Sequence, residues 1–279
     1  MKKSIFTILV IILITLIGIT TYQFLPTKRY AIFAGYNPEG KISPYVITYL
    51  EGLKEITDGI IYITDSKLLK EEYTKLTHLP IIYQEHYRHN EYDWGSYKRG
   101  YLYLKETGLL KNTRQLIFAN DSCIAPLTSF KPMLKKMSKQ KVDFWSNTQG
   151  RPLYPHLQSY FLVFNRNAFN TEIFDDLLSN VKHQKQRQDY INKYEILLST
   201  RLKNAGFTTA SYIPVDERTN IYTHPITYIT KYDNQFVKLK SLNPRETRLE
   251  NNYSPKDLLN LIKQKSPKIY QDILPLINQ

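Results

Sequence analysis

The stretch Arg29-Tyr30-Ala31-Ile32-Phe33-Ala34-Gly35 decides the fold. It is a short apolar run that ends on glycine and is followed by Asn37-Pro38-Glu39-Gly40, so it reads as a buried strand entering a loop. Ser43-Pro44 then opens a helix. Proline suits the first helical position, and Val46, Tyr49, Leu50, Leu53 and Ile56 recur at helical spacing up to Asp58-Gly59. Ile60-Ile61-Tyr62-Ile63-Thr64 is a second strand. A strand, a helix and a strand of these lengths make a right-handed crossover, which pairs the two strands in parallel.

The same alternation continues outward. A charged helix is expected over 67–76, a strand over 79–83, a helix over 92–109 and a strand over 115–119 whose end carries Asn120-Asp121-Ser122. A basic helix over 130–139, strands over 142–145 and 159–164 and a long helical region over 171–205 follow. The tail from Tyr212 is rich in Tyr, Asn and Pro, with a short amphipathic helix near 255–263. The expected fold class is α/β, a doubly wound, mostly parallel sheet of the Rossmann type. No Pro/Ser linker or internal repeat interrupts it, so residues 28–279 read as one domain.

Residues 1–27 read differently. Between Lys3 and Lys28 there is no charged residue, and 5–25 is nearly all Ile, Leu, Val, Phe and Thr, the ~20 residues that a spanning helix needs. A single-pass N-terminal transmembrane anchor is therefore expected. A cleaved signal peptide is the competing reading, because Lys2 and Lys3 precede the apolar run; the run exceeds the usual signal length and Gly18-Ile19-Thr20-Thr21-Tyr22-Gln23 lacks a small-x-small cleavage pattern. Lys2 and Lys3 balance Lys28 and Arg29, so flanking charge does not set the orientation.

At 42% hydrophobic and 23% charged, the 279 residues have globular composition. The net charge of +13 points to an anionic partner, which is nucleic acid, an acidic membrane surface or a phosphorylated substrate. Nucleic acid is not expected, since the Lys/Arg pairs are scattered and no basic arm, zinc-finger spacing or aromatic RNA-binding signature occurs. Cys123 is the sole cysteine, which excludes an internal disulfide and a multi-cysteine metal site. His86 and His89 have a spacing that suits a metal only on a helix, and they fall in a strand end and loop.

Ligands of open α/β sheets bind at the carboxyl ends of strands, which singles out three places. The loop 36–43, with Tyr36 and Asn37, leads into a helix N-terminus that can face a diphosphate, or is an ordinary loop with a good helix start. Asp121, between Asn120 and Ser122, can hold Mg²⁺ or Mn²⁺ against a diphosphate, or belongs to an Asx-type turn. Asp143, beside Phe144 and Trp145, either lines a sugar or base pocket or flanks a buried aromatic pair.

In order, Tyr36-Asn37, Tyr45 to Leu50, Tyr92-Asp93-Trp94-Gly95-Ser96-Tyr97-Lys98, Ala119-Asn120-Asp121-Ser122 with Pro126, Asp143-Phe144-Trp145 and His156-Leu157-Gln158-Ser159-Tyr160-Phe161 form a series. Tyr194-Glu195, Gly206-Phe207 and Phe236-Val237-Lys238 complete it. The series resembles the rhamnan synthesis protein F family of bacterial polysaccharide glycosyltransferases. The resemblance implies a GT-A-like domain that takes a nucleotide-sugar donor, a glycan or lipid-linked acceptor and a divalent cation. It places Asp121 at the metal and diphosphate position, with one carboxylate fewer than an Asp-x-Asp site. It places Asp93 and Lys98 against the donor, His156, Gln158 and Ser159 near donor or acceptor sugar, and Glu195 as the acceptor base. Asp93 as a helix cap and Glu195 as a solvated helix charge are the alternatives. Ser146 and Ala125 stand where the family commonly has Gly. The implied setting is the cytoplasmic membrane face, where such donors are made; a non-catalytic membrane-tethered scaffold of the same fold is the rival.

Overall fold

The computed structural model describes residues 26–150, 156–214, 220–242 and 253–277. Its centre is a seven-stranded sheet in the order β3-β2-β1-β4-β7-β6-β8. The strands are β1 (Lys28–Gly35), β2 (Gly59–Thr64), β3 (Ile81–His86), β4 (Thr113–Asn120), β6 (Phe144–Ser146), β7 (Phe161–Asn165) and β8 (Thr209–Ser211). β1 pairs in parallel with β2 and β4, β2 with β3, and β6 with β8. β7 alone runs against its neighbours, antiparallel to both β4 and β6. An antiparallel bridge between Gln149 and Leu157 continues the β6/β7 pairing as a hairpin, which needs no crossover helix. The mostly parallel α/β sheet expected from the sequence is thus present, with one reversed strand that the apolar pattern did not distinguish.

Period-two alternation splits the core into two layers. Ala31 and Phe33 of β1 pack on one face with α1 (Pro44–Lys54), α3 (Lys131–Ser138), α8 (Pro225–Tyr232), α9 (Pro255–Lys265) and α10 (Pro267–Ile277). Tyr30, Ile32 and Ala34 pack on the other with α2 (Tyr92–Glu106), α4 (Arg166–Phe169), α5 (Glu172–Ser179) and α7 (Leu197–Asn204). Helices therefore cover both faces. α2 lies close against β1 because Gly100 leaves room: a Cβ there would come within 2.5 Å of Ile32 Cγ2. A separate two-stranded ribbon pairs β5 (Cys123–Ile124) with β9 (Val237–Lys238), setting Cys123 opposite Lys238.

Local differences from the sequence expectations have physical causes. Residues expected as a helix over 67–76 form a 3₁₀ helix, Lys70–Leu76, which buries only Glu72 and Leu76. The region expected as continuous helix over 171–205 breaks after α5, where the polar run Lys182-His183-Gln184-Lys185 has no apolar face to pack. It resumes as α6 (Arg187–Tyr190) and passes through a π-helical turn, Ile191–Ile196, into α7. The expected membrane anchor, residues 5–25, lies outside the described residues. Among the described residues no helix is long and apolar enough to cross a membrane.

Candidate functional site

The carboxyl ends of β1 and β4 lie side by side, with Ala34 in register with Asn120. β4 delivers its last residue, Asn120, buried into the space above the sheet, and the chain turns immediately after it. The Asn120 carbonyl oxygen Oδ1 accepts from the Ser122 amide at 3.1 Å and from Ser122 Oγ at 2.6 Å, which is the Asx-type turn. That turn aims Asp121 back across β1, where its Oδ2 accepts the Tyr36 amide at 2.6 Å. Tyr45 on the first turn of α1 donates its hydroxyl to the Asp121 backbone carbonyl at 3.0 Å, fixing the turn from the other side. The Asx turn and the carboxylate that it presents are therefore one device.

Asp93 enters from the first turn of α2. Its Oδ2 accepts the Asn120 side-chain amide at 2.8 Å, so Asn120 links Asp93 to the turn that carries Asp121. Asp93 does not cap its helix by a side-chain bond; Glu91 is the residue at the cap position. Glu195 comes from the π-helical turn, whose extra residue per turn re-aims side chains relative to an ordinary helix. Its Oε1 accepts the Ser159 amide at 2.9 Å and stands 3.8 Å from His156 Nε2. Ser159 is itself held by its carbonyl, which accepts the buried Tyr97 hydroxyl at 3.0 Å.

The electrostatics tie these groups into one site. Burial pushes the Asp121 carboxyl up to about 8, the Asp93 charge adds to the effect, and the Tyr36 amide offsets part of it. Burial also raises Asp93, to about 6, with Glu195 adding and Arg187, Lys238 and the Asn120 amide opposing. Arg187 and Lys238 are thus the cations whose charge acts on Asp93, and sequence reasoning assigned a role to neither. Lys238 is only 5% exposed; its ammonium donates to Ser122 Oγ at 3.1 Å and lies 3.8 Å over the Tyr160 ring. The sequence signal for it is its place in Phe236-Val237-Lys238, the last piece of the series that resembles the family, to which no role was attached.

The other expected site residues divide. The Tyr36 ring is exposed and carries the Arg88 guanidinium 4.7 Å above it. Asn37 shapes its loop: its amide donates to Ser66 Oγ at 2.8 Å and its Oδ1 accepts the Glu39 amide at 2.8 Å. Gln158 Oε1 accepts the Thr148 hydroxyl, beside the buried network of Thr148, Tyr160 and Asn147.

Lys98, Asp143 and Trp145 are not brought to the carboxylates. Lys98 lies five residues beyond Asp93, about 1.4 helical turns and so on another face of α2, and its ammonium donates to the Val181 carbonyl at 2.8 Å, tying α2 to the chain after α5. Asp143 precedes β6 and pairs through its carbonyl with Asn165, level with Gln115. The step from Gln115 to Asn120 along β4 is about 16 Å, so Asp143 sits at the opposite end of the sheet. There its carboxylate accepts the Thr208 amide at 2.8 Å and hydroxyl at 2.7 Å. Trp145 is buried against Phe161 and borders a depression with Arg114, Met137 and Lys141 at that same far end. His86 bonds the Tyr73 hydroxyl and His89 the Ser96 hydroxyl, so the two histidines do not share a site.

Among the described residues no group of three or more His, Cys, Asp or Glu is arranged to hold a metal ion. A cation at Asp121 would use the carboxylate oxygen not given to Tyr36 and take its remaining ligands from substrate phosphate and water. That donor set suits magnesium or manganese, which commonly bind through one or two carboxylates plus phosphates and retained waters.

The chain is 25% identical over 191 residues to an uncharacterized protein, y4gN, of Sinorhizobium fredii (strain NBRC 101917 / NGR234), covering 67% of this chain and 49% of that one. It is 27% identical over 156 residues to the virulence protein VirA of Vibrio anguillarum, covering 55% of this chain and 48% of that one. The chain thus spans about half the length of the curated relatives it matches. Similar solved structures include a cytidylyltransferase from Leptospira borgpetersenii, at TM-score 0.44 and 14% identity over 88% of this chain and 97% of that one. A glycosyltransferase involved in glycosylation of the major capsid of PBCV-1 aligns at TM-score 0.41 and 13% identity, over 76% of this chain and 94% of that one. Core-mannan synthase A from Aspergillus fumigatus, in a Mn/GDP form, aligns at TM-score 0.39 and 9% identity over 67% of this chain and 71% of that one. The profile of the rhamnan synthesis protein F family matches residues 60–273, a span that takes in Asp93, Asp121, Glu195 and Lys238, and the chain belongs to that family.

Proposed function

We propose that this protein is a glycosyltransferase that moves a sugar, rhamnose among the candidates, from a nucleotide-sugar donor to a hydroxyl of a growing cell-surface polysaccharide or lipid-linked glycan. The observation that carries the reading is the meeting of Asp93, Asp121 and Glu195 above the carboxyl ends of β1 and β4, in a chain of a polysaccharide-synthesis family. Ligands of open α/β sheets bind at that edge.

The donor's diphosphate lies against the Asn120-Asp121-Ser122 turn, with its sugar toward Asp93 and Ser159. A divalent cation shared by Asp121 and the diphosphate would neutralise phosphate charge. Glu195 takes the proton of the acceptor hydroxyl as the acceptor oxygen bonds to the anomeric carbon. The bond from that carbon to the diphosphate breaks with its electron pair, which leaves on the nucleoside diphosphate. Attack opposite the leaving group inverts the anomeric centre. The Ser159 amide holds one Glu195 oxygen, and His156 and Gln158 border the space for sugar hydroxyls. Residues 1–27 anchor the domain, 28–279, at the cytoplasmic membrane face; Lys28 and Arg29, expected to meet anionic lipid, are instead engaged within the domain by Asp58 and by Gln115 with the Ile56 carbonyl.

The test is binding and hydrolysis of UDP-, GDP-, CDP- and dTDP-sugars by the full chain in detergent, with and without Mn²⁺. Failure to bind or hydrolyse any of them refutes the proposal. One feature favours the scaffold reading instead: the Asn120-Asp121-Ser122 turn offers one carboxylate where an Asp-x-Asp turn offers two, and its Oδ2 already serves the Tyr36 amide. Asp121→Ala separates the two, because unchanged cellular glycan with a folded variant supports the scaffold.

A further inference from the structure

Lys238 is a charged side chain in a place where charge is costly. It is 5% exposed, and no carboxylate among the described residues forms an ion pair with it. Its ammonium has Ser122 Oγ at 3.1 Å, the Tyr160 ring at 3.8 Å and the Tyr222 ring at 5.4 Å. Its hydrogen-bond partners are the Ser122 hydroxyl and the Cys123 thiol, with the two ring faces beside them; all are neutral, and a buried cation with no carboxylate in contact is costly. Cys123 is its cross-strand partner in the β5/β9 ribbon, and the Leu239 amide donates to the Ser122 carbonyl at 3.1 Å, so the ammonium is held on the Asn120-Asp121-Ser122 turn rather than swinging on a free chain. The Tyr160 hydroxyl beneath it is locked by Thr148 at 2.6 Å and Asn147 at 2.8 Å. Such a fixed cation, beside the turn that carries Asp121, is a ready-made partner for an anion at the carboxyl ends of β1 and β4.

The geometry points to Lys238 as the residue that binds the donor's diphosphate and takes up the charge of the departing nucleoside diphosphate, whereas the family resemblance placed Lys98 against the donor. The inference rests on the glycosyltransferase reading. During transfer the diphosphate oxygen keeps the electron pair of the broken bond to the anomeric carbon, and the Lys238 ammonium hydrogen-bonds the resulting anion without giving up a proton. This contact needs no divalent cation, which distinguishes it from a site that binds phosphate only through metal.

Binding of UDP, GDP, CDP and dTDP to the full chain in detergent, each against its own nucleoside, tests this in EDTA. The wild type is expected to prefer the diphosphate that it binds over the matching nucleoside by about tenfold or more, the scale of a charge-assisted hydrogen bond. Lys238→Met is expected to abolish that preference while nucleoside affinity stays within about twofold. A wild-type preference that vanishes in EDTA overturns the inference without any variant, and so covers the case in which Lys238→Met fails to fold. Unchanged diphosphate preference in a folded Lys238→Met protein also overturns it, yet leaves the glycosyltransferase reading standing. No binding of any nucleotide or nucleotide-sugar by the wild type overturns both.

Discussion

Asp121 holds a carboxyl in its neutral form well above the ordinary range, and that makes Asp121→Asn a sharp test of the site's physics. In the folded chain the carboxyl titrates at about 8, against an ordinary 3.8, chiefly because of burial. Between those values the native state keeps a proton that the unfolded state releases, so stability falls as pH rises from about 4 and levels off above about 8. At 1.36 kcal/mol per pH unit the full effect is about 6 kcal/mol, and relaxation and water entry reduce the realised cost to about half. Asparagine removes this cost and its Oδ1 can still accept the Tyr36 amide, the bond now made at 2.6 Å. The variant should therefore gain about 3 kcal/mol over wild type at pH 8.5 and about 1 kcal/mol at pH 5. For a domain of this size the difference between the two conditions is about 4–8 °C in Tm. Thermal unfolding of both proteins in detergent, followed by circular dichroism from pH 5 to 8.5, reads it directly. Parallel Tm curves for the two proteins would show that Asp121 is ionised and well solvated in the fold, and would refute the reasoning. Turnover should be lost in the same variant, since asparagine cannot supply the anionic oxygen that would share a divalent cation with the diphosphate.

Three further outcomes follow from the geometry. Glu195→Gln should lower kcat for transfer by about 10²–10⁴-fold with little change in donor KM, measured by release of nucleoside diphosphate in the presence of acceptor. Lys98→Met should cost about 1 kcal/mol of stability, through loss of the bond to the Val181 carbonyl, and leave nucleotide affinity within about twofold in an equilibrium titration. Gly40→Ala should destabilise the protein by about 1–3 kcal/mol on a thermal melt, because Gly40 has φ +69° and an added Cβ would sit 2.4 Å from the Lys67 carbonyl oxygen. That variant should also weaken nucleotide binding, since the loop it distorts supplies the Tyr36 amide to Asp121.

The chain's order of strands and helices was legible from residue pattern. Apolar runs such as 29–35 and 115–119 are bounded by turn residues, and the alternation of Ala31 and Phe33 against Ile32 and Ala34 between the two core layers follows from the period of a strand. The turn at Asn120-Asp121-Ser122 was likewise visible, because a polar triplet ending an apolar strand has few other readings. Sequence alone also named Asp93 and Glu195, though only through the family resemblance. Tertiary structure decided the rest. β7 runs backward because pairing direction depends on how the segment after β6 returns, and local apolarity is the same in either direction. Asp143 and Asp121 both flank apolar strands, yet one stands at the start of its strand and the other beyond the end, which puts them at opposite edges of the sheet. Lys98 and Lys238 are equally basic on paper. Their difference arises from what surrounds each ammonium: a carbonyl after α5 satisfies the first, whereas a ribbon pairing residues more than a hundred positions apart buries the second beside Ser122. Long-range contacts of that kind carry no local periodicity, so they become readable only once the chain has folded.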